Sequence, residues 1–377
     1  MNKIRILQCI ETIGSGGVEQ LRYNLCKGID KDRFELKIIC TQTLGVLPGR
    51  MRETGVEIIP VGKLKTPFHW SRYKAVLRVV RSYKPHIIHG AVFEGCSMAV
   101  VASRFSRIPA VIIEETSDPI DRTWRGNTLM RLYAGYADRI VAVSETAGSY
   151  IRKVVGVKEP KLKVIDNGVS IPEVPDPEAV KKLRGRLGIA EGDFVIGSVG
   201  RLFDEVKKVS VIIKATALLI KRGIPLKLLI VGDGSDQDML EALCDTLGIR
   251  ASVIFAGYQG DTAPYYACMD LFVLASQHES FGMVLVEAMY LHLPVVATAV
   301  GGIPYVVEDG KTGLLVPKND PPAMAVAIET LYRDPAGRKA FGQAGWERAM
   351  GNFTSDIYVE KVQRLYLELA EEKGLSS

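Results

Sequence analysis

Short runs of β-branched and aliphatic residues alternate with longer stretches of helical periodicity along this whole chain. Such alternation folds into parallel sheet sandwiched between helices. In the first half the runs fall at about 4–10, 35–41, 56–61, 86–90, 109–114 and 139–143. In the second they fall at about 194–200, 226–231, 252–256, 271–275, 294–299 and 313–316. The expected class is α/β, with one parallel sheet per half, and 377 residues exceed a single ordinary core. Between the halves, Asp166-Asn167-Gly168-Val169-Ser170-Ile171-Pro172-Glu173-Val174-Pro175-Asp176-Pro177 carries three prolines and a turn-forming Asn-Gly, and reads as the linker. The expected domains are thus 1–170 and 171–354. A last helix, about 355–373, carries an apolar set at Ile357, Val359, Val362, Leu365, Leu367 and Leu369, suited to packing back on the first domain, which 355–377 would join.

Composition excludes several classes. No apolar stretch reaches membrane-spanning length, since the run 284–300 is broken by Glu287 and His292. The opening residues read as a first strand and have no signal-peptide core. Six scattered cysteines with no CxxC indicate neither a disulfide framework nor a zinc site, so a reducing cytosol is the simple reading. Residues 1–175 hold 27 Lys+Arg against 17 Asp+Glu, whereas the remainder holds 21 against 26, so the first half suits an anionic partner or a solvated basic surface. The stretch 68–84 adds Arg72, Lys74, Arg78, Arg81 and Lys84 to Phe68, Trp70 and Tyr73. That pattern fits an outer helix face or a helix lying on an anionic membrane. No nucleic-acid module is recognisable.

Ligands of open α/β sheets collect at the carboxyl ends of strands, and the notable motifs lie there. The segment Gln277-His278-Glu279-Ser280-Phe281-Gly282-Met283-Val284-Leu285-Val286-Glu287 reads as strand, turn and helix. Glu279 falls in the turn and Glu287 more than a turn into the helix. The free N–H groups and dipole of that helix favour an anion at Phe281–Val284, with a carboxylate on either side for hydroxyl-rich groups. Gly197-Ser198-Val199-Gly200-Arg201-Leu202 ends another run and is followed by Lys207 and Lys208 opening a helix; Arg201 and Lys207 form a cation pair suited to a diphosphate. Gly232 and Gly234 turn the chain after the next run, with Ser235 or Asp236 as helix cap. Gly301-Gly302-Ile303-Pro304 starts another helix, and Asp309-Gly310-Lys311-Thr312-Gly313 is a structural turn. In the first half, Ile13-Gly14-Ser15-Gly16-Gly17-Val18-Glu19 opens a helix after the first run. It lacks GxGxxG spacing, and no acid ends the second run, which disfavours a dinucleotide cofactor.

Together these motifs resemble the group 1 (family 4) retaining glycosyltransferases of GT-B fold, in which two Rossmann-like domains face each other across a cleft. The likeness is carried by Gly200-Arg201-Leu202 with Lys207, Gly232-Asp233-Gly234, Glu279 and Glu287 around Phe281-Gly282, Gly301-Gly302-Ile303-Pro304 and Asp309-Gly310-Lys311-Thr312-Gly313-Leu314-Leu315-Val316. It implies transfer of a sugar from a UDP- or GDP-linked nucleotide-sugar to a hydroxyl of a lipid-linked or saccharide acceptor, without metal or other cofactor. It also implies a role in bacterial lipopolysaccharide or surface polysaccharide assembly, in the cytoplasm or on the inner membrane face. Arg201 and Lys207 would bind the diphosphate, Glu287 the ribose and Glu279 the transferred sugar. Phe281, Gly282, Met283 and Val284 would offer backbone amides, Gly232 would line the donor site, and Gly16 and Gly17 would line the cleft from the other domain. Departures are Ser280 in place of Gly, Tyr305 in place of Glu, one extra residue between Arg201 and Lys207, and Thr116 where the family commonly has His. His89, Glu94, Glu115 and Asp118 are candidate substitutes on the acceptor side, His89 being equally readable as a satisfied buried histidine. A nucleotide-sugar epimerase of the same fold and a non-catalytic sugar-nucleotide-binding protein are the rival readings.

Overall fold

The computed structural model describes residues 3–14, 16–63, 70–116 and 122–375. Ser15, Phe68 and Asp118 lie outside this set, and Arg72 is described in its backbone alone. The chain forms two compact units, one of residues 1–170 with 354–377 and one of residues 171–353.

The first unit holds seven parallel strands: β1 (Ile4–Ile13), β2 (Phe34–Thr43), β3 (Glu57–Pro60), β4 (Ile87–Ala91), β5 (Ala110–Glu115), β6 (Arg139–Ala142) and β7 (Leu162–Val164), in the order β3-β2-β1-β4-β5-β6-β7. The sequence reading missed β7, which has three residues, two of them partly exposed, and follows an alternation of lysines rather than an apolar run. Central strands β4 and β5 are buried at every position, as a sheet covered on both faces requires. The terminal helix Ser355–Glu372 starts at Thr354, whose side chain accepts from the Ile357 N–H. It buries Tyr358, Val359, Val362, Leu365, Tyr366 and Leu369 against the core of this unit. Gly28 permits the approach, since a methyl there would meet Val359 Cγ2 at 3.2 Å.

The second unit holds β8 (Val195–Val199), β9 (Lys227–Val231), β10 (Val253–Phe255), β11 (Leu271–Leu274), β12 (Val295–Thr298) and β13 (Gly313–Val316), all parallel, in the order β10-β9-β8-β11-β12-β13. In both sheets the order reverses beside the first strand of the unit, between β1 and β4 and between β8 and β11. Such a reversal opens a crevice at the carboxyl edge, because the flanking crossovers leave in opposite directions.

Candidate active site

Glycines let the turns at the carboxyl edge of the second unit stack on one another. Gly232, at φ 132°, lies so close to the turn after β8 that a Cβ would meet the Gly200 carbonyl oxygen at 2.0 Å. Gly302 has the same relation to the turn after β11, where a Cβ would meet the Ser280 carbonyl at 2.2 Å. Backbone bonds tie these turns together. The Leu202 N–H donates to the Asp233 carbonyl (2.7 Å), the Gly302 N–H to that of Glu279 (2.8 Å) and the Gln277 N–H to that of Val206 (2.7 Å). Gly232 therefore spaces two turns.

The cations expected from the sequence stand on this edge. Arg201, Lys207, Ser198, Gly200 and Leu274 share the lining of one recess beside the switch point. Arg201 is exposed and makes no ion pair among the described residues. Lys207 Nζ donates to Glu279 Oε2 at 2.6 Å, and Ser276 Oγ donates to the same oxygen at 3.3 Å. Lys207 does not open the following helix. It ends a separate turn of helix, Asp204–Lys207, and the left-handed Lys208 (φ 51°) leads into the helix Val209–Lys221. Asp204 holds this junction, accepting from the Ser210 N–H (2.8 Å) and Ser210 Oγ (2.6 Å). Asp236 occupies the N-cap of the helix Gln237–Thr246 without a side-chain cap bond; its carboxylate instead accepts from the Asp204 N–H at 2.7 Å.

After β11 the chain turns through Glu279 to Gly282, whose φ of 90° starts the helix Met283–Tyr290 without a side-chain cap. A Cβ at Gly282 would strike Leu285 Cδ1 at 2.7 Å, so the turn is fitted to glycine in both space and conformation. Phe281 is buried with its ring against Phe353, at 5.4 Å between centroids, which leaves only its backbone for a ligand. Met283 and Val284 are partly exposed in the first turn. One turn on, the partly buried Glu287 accepts from the Tyr266 hydroxyl at 2.9 Å. Burial lifts the Glu287 carboxyl to about 7 against that bond. Uncapped amides, two cations and two carboxylates can receive a phosphate group with polyhydroxylated groups beside it.

In the first unit, Gly16 precedes the helix Gly17–Gly28, and the Glu19 carboxylate lies against it, with Oε2 at 2.5 Å from where a methyl would stand. Two of the acceptor-side candidates are buried and paired within the first unit. His89 is buried at 1% exposure, its Nε2 3.0 Å from Glu114 Oε2 and its Nδ1 2.9 Å from the Tyr366 hydroxyl. Burial lowers its pKa, so this histidine is a neutral member of a sealed network with Gln8, Arg22, Glu114 and Tyr366. Glu115 is likewise buried and paired with Arg122 at 2.5 Å. Thr116 is partly exposed at the end of β5, and Glu94 lies in the first turn of the helix Val92–Phe105. Among the described residues no group of three or more His, Cys, Asp or Glu could hold a metal ion, and no helix is long and apolar enough to cross a membrane. All six cysteines are free and buried. Sequence reasoning missed Tyr266, Ser276 and Asp204. Ser276, three residues before Glu279, and Asp204, three residues before Lys207, lay close enough in the chain to be found.

Two parallel sheets of Rossmann order, with this array at the carboxyl edge of the second, define the GT-B class. The family model described as glycosyl transferases group 1 matches residues 179–348, and that of glycosyltransferase family 4 matches residues 15–172. The chain belongs to the group 1, family 4-type glycosyltransferases. A lipopolysaccharide core biosynthesis glycosyltransferase, LpsE of Rhizobium meliloti, is 37% identical over 48% of this chain and 50% of its own length. The N-acetyl-alpha-D-glucosaminyl L-malate synthase of Bacillus anthracis is 29% identical over 65% of this chain and 64% of its own. The chain thus spans from about half to just under two thirds of the length of the curated relatives it matches. Among solved structures, that of Anabaena Alr3699/HepE in complex with UDP-glucose superposes with a TM-score of 0.86. It covers 97% of this chain and 99% of the other at 22% identity, a likeness of fold.

Proposed function

We propose that this chain is a retaining, metal-independent glycosyltransferase that moves a sugar from a UDP- or GDP-linked donor to a hydroxyl of a saccharide or lipid-linked acceptor. Its setting would be bacterial lipopolysaccharide or surface polysaccharide assembly on the cytoplasmic side of the membrane. One observation carries the reading: the Lys207–Glu279 pair and the unpaired Arg201 stand at the switch point, beside the uncapped helix that bears Glu287. The lipopolysaccharide relative supports the pathway assignment.

In this reading the donor diphosphate lies between Arg201, Lys207 and the first amides of the Met283–Tyr290 helix, Glu287 accepts from the ribose, and Glu279 accepts from the sugar. The anomeric carbon–oxygen bond breaks with its electron pair passing to the diphosphate. The two cations and the helix dipole stabilise that charge as it develops. The acceptor oxygen bonds to the same face of the anomeric carbon, and its proton passes to the departing phosphate oxygen. That route needs no histidine base, which accords with Thr116 at the family's histidine position and with His89 sealed away.

Arg201→Ala and Lys207→Ala are each expected to lower kcat/KM by about 10²–10³-fold. Nucleotide release with UDP- and GDP-sugars plus acceptor measures this, and near-normal turnover in both variants would end the assignment. A new sugar isomer formed without acceptor would favour an epimerase, and tight donor binding without release under any acceptor a binding protein. Membrane contact is supported by the helix Trp70–Tyr83, which has no acidic residue and exposes Lys74, Arg78 and Arg81. Trp70 and Phe105 are both more than half exposed and touch ring to ring at 5.2 Å. Vesicles rich in anionic lipid should sediment the protein at low salt, and Lys74→Glu with Arg78→Glu should weaken that several-fold. Equal sedimentation with neutral vesicles would argue against it.

A further inference from the structure

The hydrogen bonds at Glu287 are unequal on its two oxygens. Oε2 accepts from the Tyr266 hydroxyl at 2.9 Å, while Oε1 has no partner among the described residues. Tyr266 ends a short helix, Ala263–Tyr266, and is itself 1% exposed, its ring packed on Phe272 at 5.5 Å. The same hydroxyl lies 3.3 Å from the Val284 carbonyl, in the first turn of the helix that bears Glu287. One phenol thus touches both the carboxylate and the turn that supplies the amides. A phenol has a single proton to donate, and an ionised carboxylate is the stronger of the two acceptors. With the ring fixed by packing, this bond holds the carboxyl plane at one angle and leaves Oε1 as the oxygen still able to accept.

We infer that Tyr266 is a positioning residue of the donor site, its buried hydroxyl pinning Oε2 of Glu287 so that Oε1 alone is presented, as an acceptor, to the hydroxyl groups of a nucleoside diphosphate. The inference rests on the donor site proposed above and adds the group that orients it. The bond also favours the ionised form of Glu287 against the opposing effect of burial, so Tyr266 sets the lowest pH at which the site is ready. The charged groups on neighbouring turns, Lys207 and Glu279, are paired with each other. Tyr266 faces Glu287 from the side of the sheet, and its own ionisation is pushed far up by burial and by that carboxylate.

Tyr266→Phe in the full chain removes the hydroxyl and keeps the ring beside Phe272. Without ligand, melting is followed from pH 4 to 9 in the wild type, Tyr266→Phe, Glu287→Gln and the double variant. The upper end of the Glu287-dependent fall in stability should move up by about one pH unit in Tyr266→Phe and vanish in both Glu287→Gln backgrounds. Phe272→Leu, which disturbs the packing alone, should lower Tm at every pH without moving that profile. With UDP or GDP as probe, calorimetry at pH 8 should show about 10-fold weaker binding for Tyr266→Phe and little further loss when it is added to Glu287→Gln. An unmoved pH profile, or a binding loss that adds in full to that of Glu287→Gln, overturns the inference while the donor-site reading stands. A shifted profile in a wild type that binds neither nucleotide overturns the donor-site reading and keeps the Tyr266–Glu287 coupling.

Discussion

Burial raises the Glu287 carboxyl to about 7, and the Tyr266 bond only partly opposes it. The native value lies above the 4.5 of an unperturbed carboxyl, so between about 4.5 and 7 the native state holds more proton than the unfolded chain. Stability contributed by this group is present below that window and is lost as pH rises through it. Glu287→Gln should raise the Tm of the ligand-free protein at pH 8 by roughly 2–6 °C, change it little at pH 5, and weaken nucleotide binding. Equal Tm changes at both pH values would count against this. The sequence made the two glutamates, Arg201 and Lys207 legible because each sits in a local strand–turn–helix or strand-end turn. Tyr266 was illegible because its partner lies 21 residues on and only packing joins them. His89 was ambiguous for the opposite reason: a histidine at a strand end can face a ligand or the core, and the terminal helix, 277 residues away at Tyr366, decides it.

Among the elements, every strand but β7 and the two helices that flank the site were legible from period and turn residues. The short turn of helix Asp204–Lys207 was not, since four residues carry no period. Its placement depends on Asp204, whose carboxylate binds Ser210 twice while its own N–H is held by Asp236. Asp204→Ala should cost about 1–2 kcal/mol in urea unfolding and should raise the donor KM more than it lowers kcat, because Lys207 leaves the helix turn that this anchor fixes. A KM equal to that of the wild type would separate Asp204 from the site. Gly232 was expected to line the donor site, and the structure places it hard against the Gly200 turn. Gly232→Ala, strained at φ 132° and blocked by Gly200, should cost about 2 kcal/mol or more.

At the scale of the molecule the two units should respond to mild acid in opposite directions. His89, in the first unit, has a pKa lowered below 6.5 by burial, so the stability of its neutral form is lost as pH falls through 6.5. Burial alone would raise Glu114, yet Arg22 and His89 hold it at about 2, a contribution lost as pH falls from 4.5 toward 2. Between pH 7 and 5 the unit of residues 1–170 and 354–377 should weaken while that of residues 171–353 strengthens through Glu287. Hydrogen-exchange protection, corrected for the intrinsic pH dependence, resolves the two, and parallel changes in both would refute it. The segment that closes the Arg22–Glu114–His89 network, Tyr358 to Tyr366, is read from the message after all of residues 171–353. A nascent chain leaving the ribosome therefore carries its first sheet with a charged, uncovered flank while the later unit is being made. The half begun first is the half finished last.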